Sequence, residues 1–192
     1  DGWDPKNTLF STKKKMSWLC SEEHSYKASV GERTGRDKTG CPYCSNKKVW
    51  VGFNDLQTTH PDIATEAYEW NPTTLTAGSS KKKNWICSLG HIYEGHVASR
   101  TGDRKRGCSY CAGKKVLVGF NDLLTFFPEI AKEAHGWDPS KITKSSDKKM
   151  PWKCTEGHCW KAIVGNRTRN GTACPECAIT GFNPGKVAWF YL

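Results

Sequence analysis

The stretch Trp85-Ile86-Cys87-Ser88-Leu89-Gly90-His91, followed further along by Cys108-Ser109-Tyr110-Cys111, decides how this chain folds. Spacings of Cys-x₃-His and Cys-x₂-Cys let each pair chelate one cation from a single tight turn, and a hairpin between them brings the pairs together. Zinc takes four such ligands, thiolate sulfur and imidazole nitrogen, in a tetrahedron, and three cysteines with one histidine make a closed, structural set.

The pattern occurs three times. Trp18-Leu19-Cys20 and Trp152-Lys153-Cys154 flank Trp85-Ile86-Cys87 at equal steps on either side. The predicted metal sites are Cys20, His24, Cys41 and Cys44; Cys87, His91, Cys108 and Cys111; and Cys154, His158, Cys174 and Cys177. The spacer between the two ligand pairs has the same length in the first two copies and is one position shorter in the third. Trp3, Trp70 and Trp137, each followed by Asp-Pro or Asn-Pro, keep the same register. Such recurrence means a repeat array. We expect module 1 over 1–51, module 2 over 52–118, module 3 over 119–180, and a tail over 181–192. Asp1 aligns with Tyr68 and His135, so the first copy reads as an N-terminally truncated repeat. A disulfide framework and an iron–sulfur centre are the competing uses of the cysteines; the latter typically takes four cysteines.

Composition fits small metal-held modules better than one large core. Of 192 residues 36% are hydrophobic, and mean hydropathy is −0.67. Domains this small usually need a metal or disulfides. No apolar run approaches the roughly 20 residues of a membrane helix, and no secretion signal is evident. An intracellular location is the expectation, where grouped thiols favour metal. The formal charge is +10. Nine ligand thiolates subtract nine and three Zn²⁺ add six, leaving +7, which suits a polyanionic partner.

The elements can be placed coarsely. Asn54-Asp55-Leu56 and Asn121-Asp122-Leu123 offer helix N-caps, and Pro61 and Pro128 suit the first turn of a second short helix. Ile63, Ala64 and Ala67, with Ile130, Ala131 and Ala134, form its predicted apolar stripe. A strand leads through each tryptophan to the first ligand. After each histidine, alternation over Tyr26, Ala28 and Val30, then Tyr93, Gly95 and Val97, then Trp160, Ala162 and Val164, predicts a half-buried strand ending near an arginine. Gly90 and Gly157 are expected at positive φ beside their histidines, with Glu23 as the departure. The fold class is therefore small α+β zinc-stabilised modules, three tandem repeats joined by short helices. Trp18, Trp85 and Trp152 read as core filler beside the metal rather than base-stacking residues. Cys159 reads as a bystander thiol, and His60, His96 and His135 as surface or packing residues. No nucleophile–base arrangement suggests an active site.

Basic residues also keep register. Lys14-Lys15, Lys81-Lys82 and Lys148-Lys149 precede the tryptophans; Arg33, Arg100 and Arg167 each precede a threonine; Lys47-Lys48 and Lys114-Lys115 follow the second ligand pairs. These, with Arg36, Arg104, Arg106 and Arg169 in loops that vary between copies, are the candidate nucleic-acid contacts. Lysines and arginines neutralise phosphates, and arginine in a variable loop has the donors for base edges. For Arg33, Arg100 and Arg167 a competing role is to brace the module by bonding backbone carbonyls.

On these residues, Trp-x-Cys-x₃-His-x-(Tyr/Trp), then Arg-Thr, then Cys-(Pro/Ser)-x-Cys, the chain resembles a family of tandem zinc-ribbon, treble-clef-type zinc-finger repeats of bacteria and phages. That resemblance implies zinc binding and frequent attachment to nuclease domains. The tail from Thr180 to Leu192 resembles the start of a GIY-YIG-type nuclease domain, whose catalytic residues would lie beyond Leu192. The expected function is a nucleic-acid-binding array with DNA as ligand, the targeting region of a larger endonuclease and not itself an enzyme. The alternative is a zinc-stabilised scaffold that binds another protein.

Overall fold

The structure is a computed structural model that describes residues 3–36 and 38–179. It divides into two compact units, Asp1–Arg106 and Gly107–Leu192. The first contains two antiparallel hairpins, β1 (Lys15–Leu19) with β2 (Ser25–Ser29), and β3 (Lys82–Ile86) with β4 (Ile92–His96). The second contains β5 (Lys149–Lys153) paired with β6 (Cys159–Ile163). The registers coincide, with Trp18 opposite Tyr26, Trp85 opposite Tyr93 and Trp152 opposite Trp160. Cross-strand aromatic pairs of this kind are what stabilise a two-stranded sheet.

Directly after the hairpins come α1 (Val30–Thr34), α4 (Val97–Thr101) and α7 (Val164–Asn170). This corrects one expectation: Val30, Val97 and Val164 open helices, and Arg33, Arg100 and Arg167 sit on those helices rather than at a strand end. The pairing explains why. Ser29 is the last β2 residue with a partner, Lys15, and His96 and Ile163 stand likewise against Lys82 and Lys149. With no strand left to pair, the backbone satisfies itself by turning helical. In α1 the turn is reinforced by a capping box, Ser29 accepting from the Glu32 amide while the Glu32 carboxylate accepts from the Ser29 amide.

Ahead of the second and third hairpins lie paired short helices, α2 (Leu56–Thr59) with α3 (Pro61–Ala64), and α5 (Leu123–Phe126) with α6 (Pro128–Ala131). Asp55 and Asp122 cap α2 and α5. Both carboxylates are fully buried and accept from the amides of Gly52 and Thr58, or Gly119 and Thr125, and from the threonine hydroxyls. The apolar stripe is shorter than expected. The second helices stop at Ala64 and Ala131, and Ala67 and Ala134 form bridges to Trp85 and Trp152.

The core of each complete repeat is correspondingly small. In the second unit Leu123, Ala131, Ile142, Trp152 and Val164 form one buried cluster, with Trp137, Met150 and Trp160 packed against it. Their register partners Leu56, Ala64, Leu75, Trp85 and Val97 are buried in the first unit. Each central tryptophan meets the Trp-Asp/Asn-Pro tryptophan edge to face, with centroids 4.9, 5.1 and 5.0 Å apart for Trp3–Trp18, Trp70–Trp85 and Trp137–Trp152. The indole N–H groups of these pairs are all used: Trp85 donates to Gly95 O and Trp70 to Asn84 O, with matching bonds in the other repeats. Filler rather than base-stacking is the role these contacts support.

Candidate metal centres

The Cys-x₃-His turns are closed by backbone bonds. Cys20, Cys87 and Cys154 donate their amides to His24, His91 and His158 carbonyls, and Glu23, Gly90 and Gly157 donate back to the cysteine carbonyls. The returning residue needs a left-handed backbone, with φ of 58° at Glu23, 77° at Gly90 and 85° at Gly157. Two repeats use glycine there; the first tolerates the strain of a side chain. The Cys-x₂-Cys ends are tight turns also, Ser45 donating to Cys41 O, Ala112 to Cys108 O and Ala178 to Cys174 O. In the third repeat this becomes α8 (Pro175–Ile179).

These turns bring Cys20, His24, Cys41 and Cys44 together, then Cys87, His91, Cys108 and Cys111, then Cys154, His158, Cys174 and Cys177. Within each group the ligand atoms lie within 4.8 Å of one another. The finer distances test the fit to zinc. A tetrahedron with Zn–S of ~2.3 Å and Zn–N of ~2.0–2.1 Å has S···N edges of about 3.6 Å and S···S edges of about 3.8 Å. His24 Nδ1 lies 3.5, 3.8 and 3.4 Å from the sulfurs of Cys20, Cys41 and Cys44. His158 Nδ1 lies 3.5, 3.6 and 3.3 Å from Cys154, Cys174 and Cys177, and His91 Nδ1 lies 3.6 Å from Cys87. Cys20 and Cys44 sulfurs are 3.7 Å apart, and Cys154 and Cys177 are 3.8 Å apart. A disulfide would require about 2.05 Å, and none of the ten cysteines is in one. Each group is a closed Cys₃His set with Nδ1 as the imidazole donor, fitted to one structural Zn²⁺.

The cation also answers an electrostatic problem. Burial, followed by the neighbouring Cys41 and Cys20 thiols, pushes the Cys44 thiol up to about 12. Burial followed by Cys174 and Cys154 does the same for Cys177. Crowded sulfurs resist becoming thiolates together unless a divalent ion sits among them.

The histidines are held differently. His24 is buried under Tyr43, Trp50 and Phe53, with centroids 5.6, 4.9 and 4.3 Å away. At the Tyr43 position the third repeat carries Glu176, whose carboxylate is 3.6 Å from His158 Nε2. A carboxylate on the far nitrogen orients a zinc-bound imidazole. Cys159 is exposed and lies outside the groups, and His60, His96 and His135 join no metal group among the described residues.

The basic residues separate into two kinds. Lys14, Lys15, Lys47, Lys48, Lys81, Lys82, Lys114, Lys115, Lys148, Lys149, Arg36, Arg104, Arg106 and Arg169 are exposed. Lys82 pairs with Glu94, and Arg169 with Asp147. Arg100 and Arg167 are only 7% and 4% exposed, which sets them apart from the other candidate phosphate contacts. Their guanidinium carbons lie 5.2 and 4.4 Å from the Trp85 and Trp152 rings. They pair with Glu66 and Glu133 and donate to the carbonyls of Arg106 and Thr172. Arg33, half-buried, lies 4.8 Å from Trp18 and donates to Thr39 O. An arginine so engaged braces its own module. The position one repeat before Glu66 falls ahead of residue 1.

Two residue types escaped the sequence reading. Glu66 and Glu133 occupy the same place in successive repeats, so the register alone could have flagged them. Asn54 and Asn121, expected as caps, instead fasten the zinc knuckle. Asn54 donates to Tyr43 O and Lys48 O and accepts from Trp50 N; Asn121 does so with Tyr110, Lys115 and Leu117. The tail over 180–192, on which the expectation of a nuclease lead-in rests, lies outside the described residues.

Comparison with known proteins agrees with this geometry. A family model described as "Probable Treble clef zinc finger domain" matches residues 1–47, 64–114 and 129–180. A protein of Escherichia phage T5 described as "Putative endonuclease" is 30% identical over 89 residues, covering 44% of this chain. The matched part spans 35% of that relative's length.

Proposed function

Because the chain belongs to the treble-clef zinc finger family, we propose that its three zinc modules form a nucleic-acid-binding array, with DNA as the ligand. The modules are 1–51, 52–118 and 119–180, with 181–192 as a tail. Exposed lysine and arginine outside the metal centres carry this reading. The zinc-loaded chain keeps a formal +7, and the side chains responsible stand in solvent at repeated positions. The name of the phage T5 relative supports the further proposal that the array targets a larger endonuclease, binding DNA while another domain cuts it.

The test is a titration of labelled DNA across a salt series. Affinity should fall with a log–log slope of about −0.9 per neutralised phosphate on duplex. Binding that ignores salt would reject the proposal and favour the protein-interaction scaffold.

A further inference from the structure

Two grooves in the first unit occupy matching positions of successive repeats. One, of about 600 Å³, has Phe10, Lys13 and Lys15 on one side and Gly31, Glu32 and Arg36 on the other. The second, of about 310 Å³, is lined by Ala98, Ser99, Gly102, Asp103, Arg104 and Arg106. Gly31 and Ala98, Glu32 and Ser99, Gly35 and Gly102, and Thr39 and Arg106 are register partners, each pair separated by one full repeat.

The loops that rim them share one backbone. Thr39 donates to Glu32 O and Arg106 to Ser99 O, both at 2.9 Å, while Lys38 and Lys105 donate to Gly35 and Gly102. Lys38 and Lys105 both take a positive φ, 39° and 36°. From inside, Arg33 and Arg100 hold the Thr39 and Arg106 carbonyls at 3.1 and 3.0 Å. The side chains of the two loops differ at Arg36 against Asp103 and at Thr39 against Arg106, while Lys38 and Lys105 match. A loop pinned from beneath loses little freedom when it meets a ligand.

The charge on these rims is available. Lys13, Lys15, Arg36, Lys38, Arg104 and Arg106 are exposed and make no ion pair among the described residues. Glu32 already spends a carboxylate oxygen on the Ser29 amide.

We infer that these two grooves are the surfaces on which the array receives DNA. Phosphate oxygens would lie on Lys13, Lys15 and Arg36 in the first and on Arg104 and Arg106 in the second. This rests on the nucleic-acid-binding reading above, and it assigns the buried arginines to the loop and not to the ligand.

The repeats themselves supply tolerated substitutions. Lys13→Asp and Arg36→Asp import the residues of Asp147 and Asp103; Arg104→Asp and Arg106→Thr import those of Asp37 and Thr39; Lys27→Glu and Lys161→Glu, away from the grooves, import that of Glu94. Each pair is made in the full chain, checked for three zinc ions, and titrated with a labelled duplex and a single strand of equal length over a salt series. Each groove pair should lose about tenfold or more in affinity at low salt and flatten the salt slope, whereas the Lys27/Lys161 pair should stay within about threefold. Equal losses in all pairs, or unchanged binding in the groove pairs, overturns the groove assignment while leaving wild-type DNA binding in place. If the wild-type chain binds neither form in a salt-dependent way, the nucleic-acid reading itself fails, and the inference with it.

Discussion

The residue that closes each Cys-x₃-His turn, just before the histidine, shows how narrowly this fold is drawn. Gly90 sits at a φ of 77° with open space where a Cβ would go, so only the backbone resists a side chain there. Gly90→Ala should cost about 1–2 kcal/mol, the left-handed penalty of an L-residue, seen as a lower urea midpoint of the zinc-loaded protein. Arg100 is a harsher case. Arg100→Ala leaves Glu66 without its cation, strips the face of Trp85 and frees the Arg106 carbonyl. A loss of about 3 kcal/mol is expected. Arg100→Lys should recover little of it, because one ammonium cannot fork between carboxylate and carbonyl while lying on an indole. Thermal melts at constant free zinc would check both; a stable Arg100→Ala variant that merely binds DNA weakly would restore the arginine to the ligand-contact class.

Elements of four or five residues do not persist alone, so their ends matter more than their interiors. Burial pushes the Asp122 carboxyl up, but bonds from the Thr125 amide and hydroxyl and the Gly119 amide outweigh it and hold the group below its ordinary value. Asp55 is lowered in the same way. A depressed carboxylate stabilises the fold above its unfolded-state value and loses that contribution as pH falls through the folded one. Both caps therefore act in full at neutral pH. Asp122→Ala should lower unfolding free energy at pH 7 by about 1–2 kcal/mol, measured by urea denaturation with zinc present. The caps were legible because Asp before a leucine is a local signal. The continuation of each hairpin into helix was not, since alternation at Val30 looks the same whether or not a partner strand remains.

For the molecule as a whole, metal is the condition of folding. Three tryptophan-centred clusters are too small to stand unaided, so chelation should unfold the chain and restore free thiol reactivity. Inductively coupled plasma analysis should find three zinc ions per chain, and a chelated chain that keeps its near-ultraviolet tryptophan signal would contradict this. Zinc must also displace protons from thiols such as Cys44 and Cys177, which sit up at about 12. Zinc affinity should consequently fall as pH falls, by about tenfold per unit for each proton displaced, as competition with a chelator indicator would measure.

Twelve ligands, three copies and a basic charge could be read from the linear chain because metal chemistry is written in spacing, and spacing repeats. What the spacing could not reveal was which repeated cations face water. Arg33, Arg100 and Arg167 look in sequence like Lys14, Lys81 and Lys148, yet only packing turned the first set onto indole faces, and Arg100 and Arg167 onto carboxylates as well. Burial belongs to the arrangement of neighbours distant along the chain, here Glu66 beside Arg100 and Trp85 beneath it, and no local pattern encodes that.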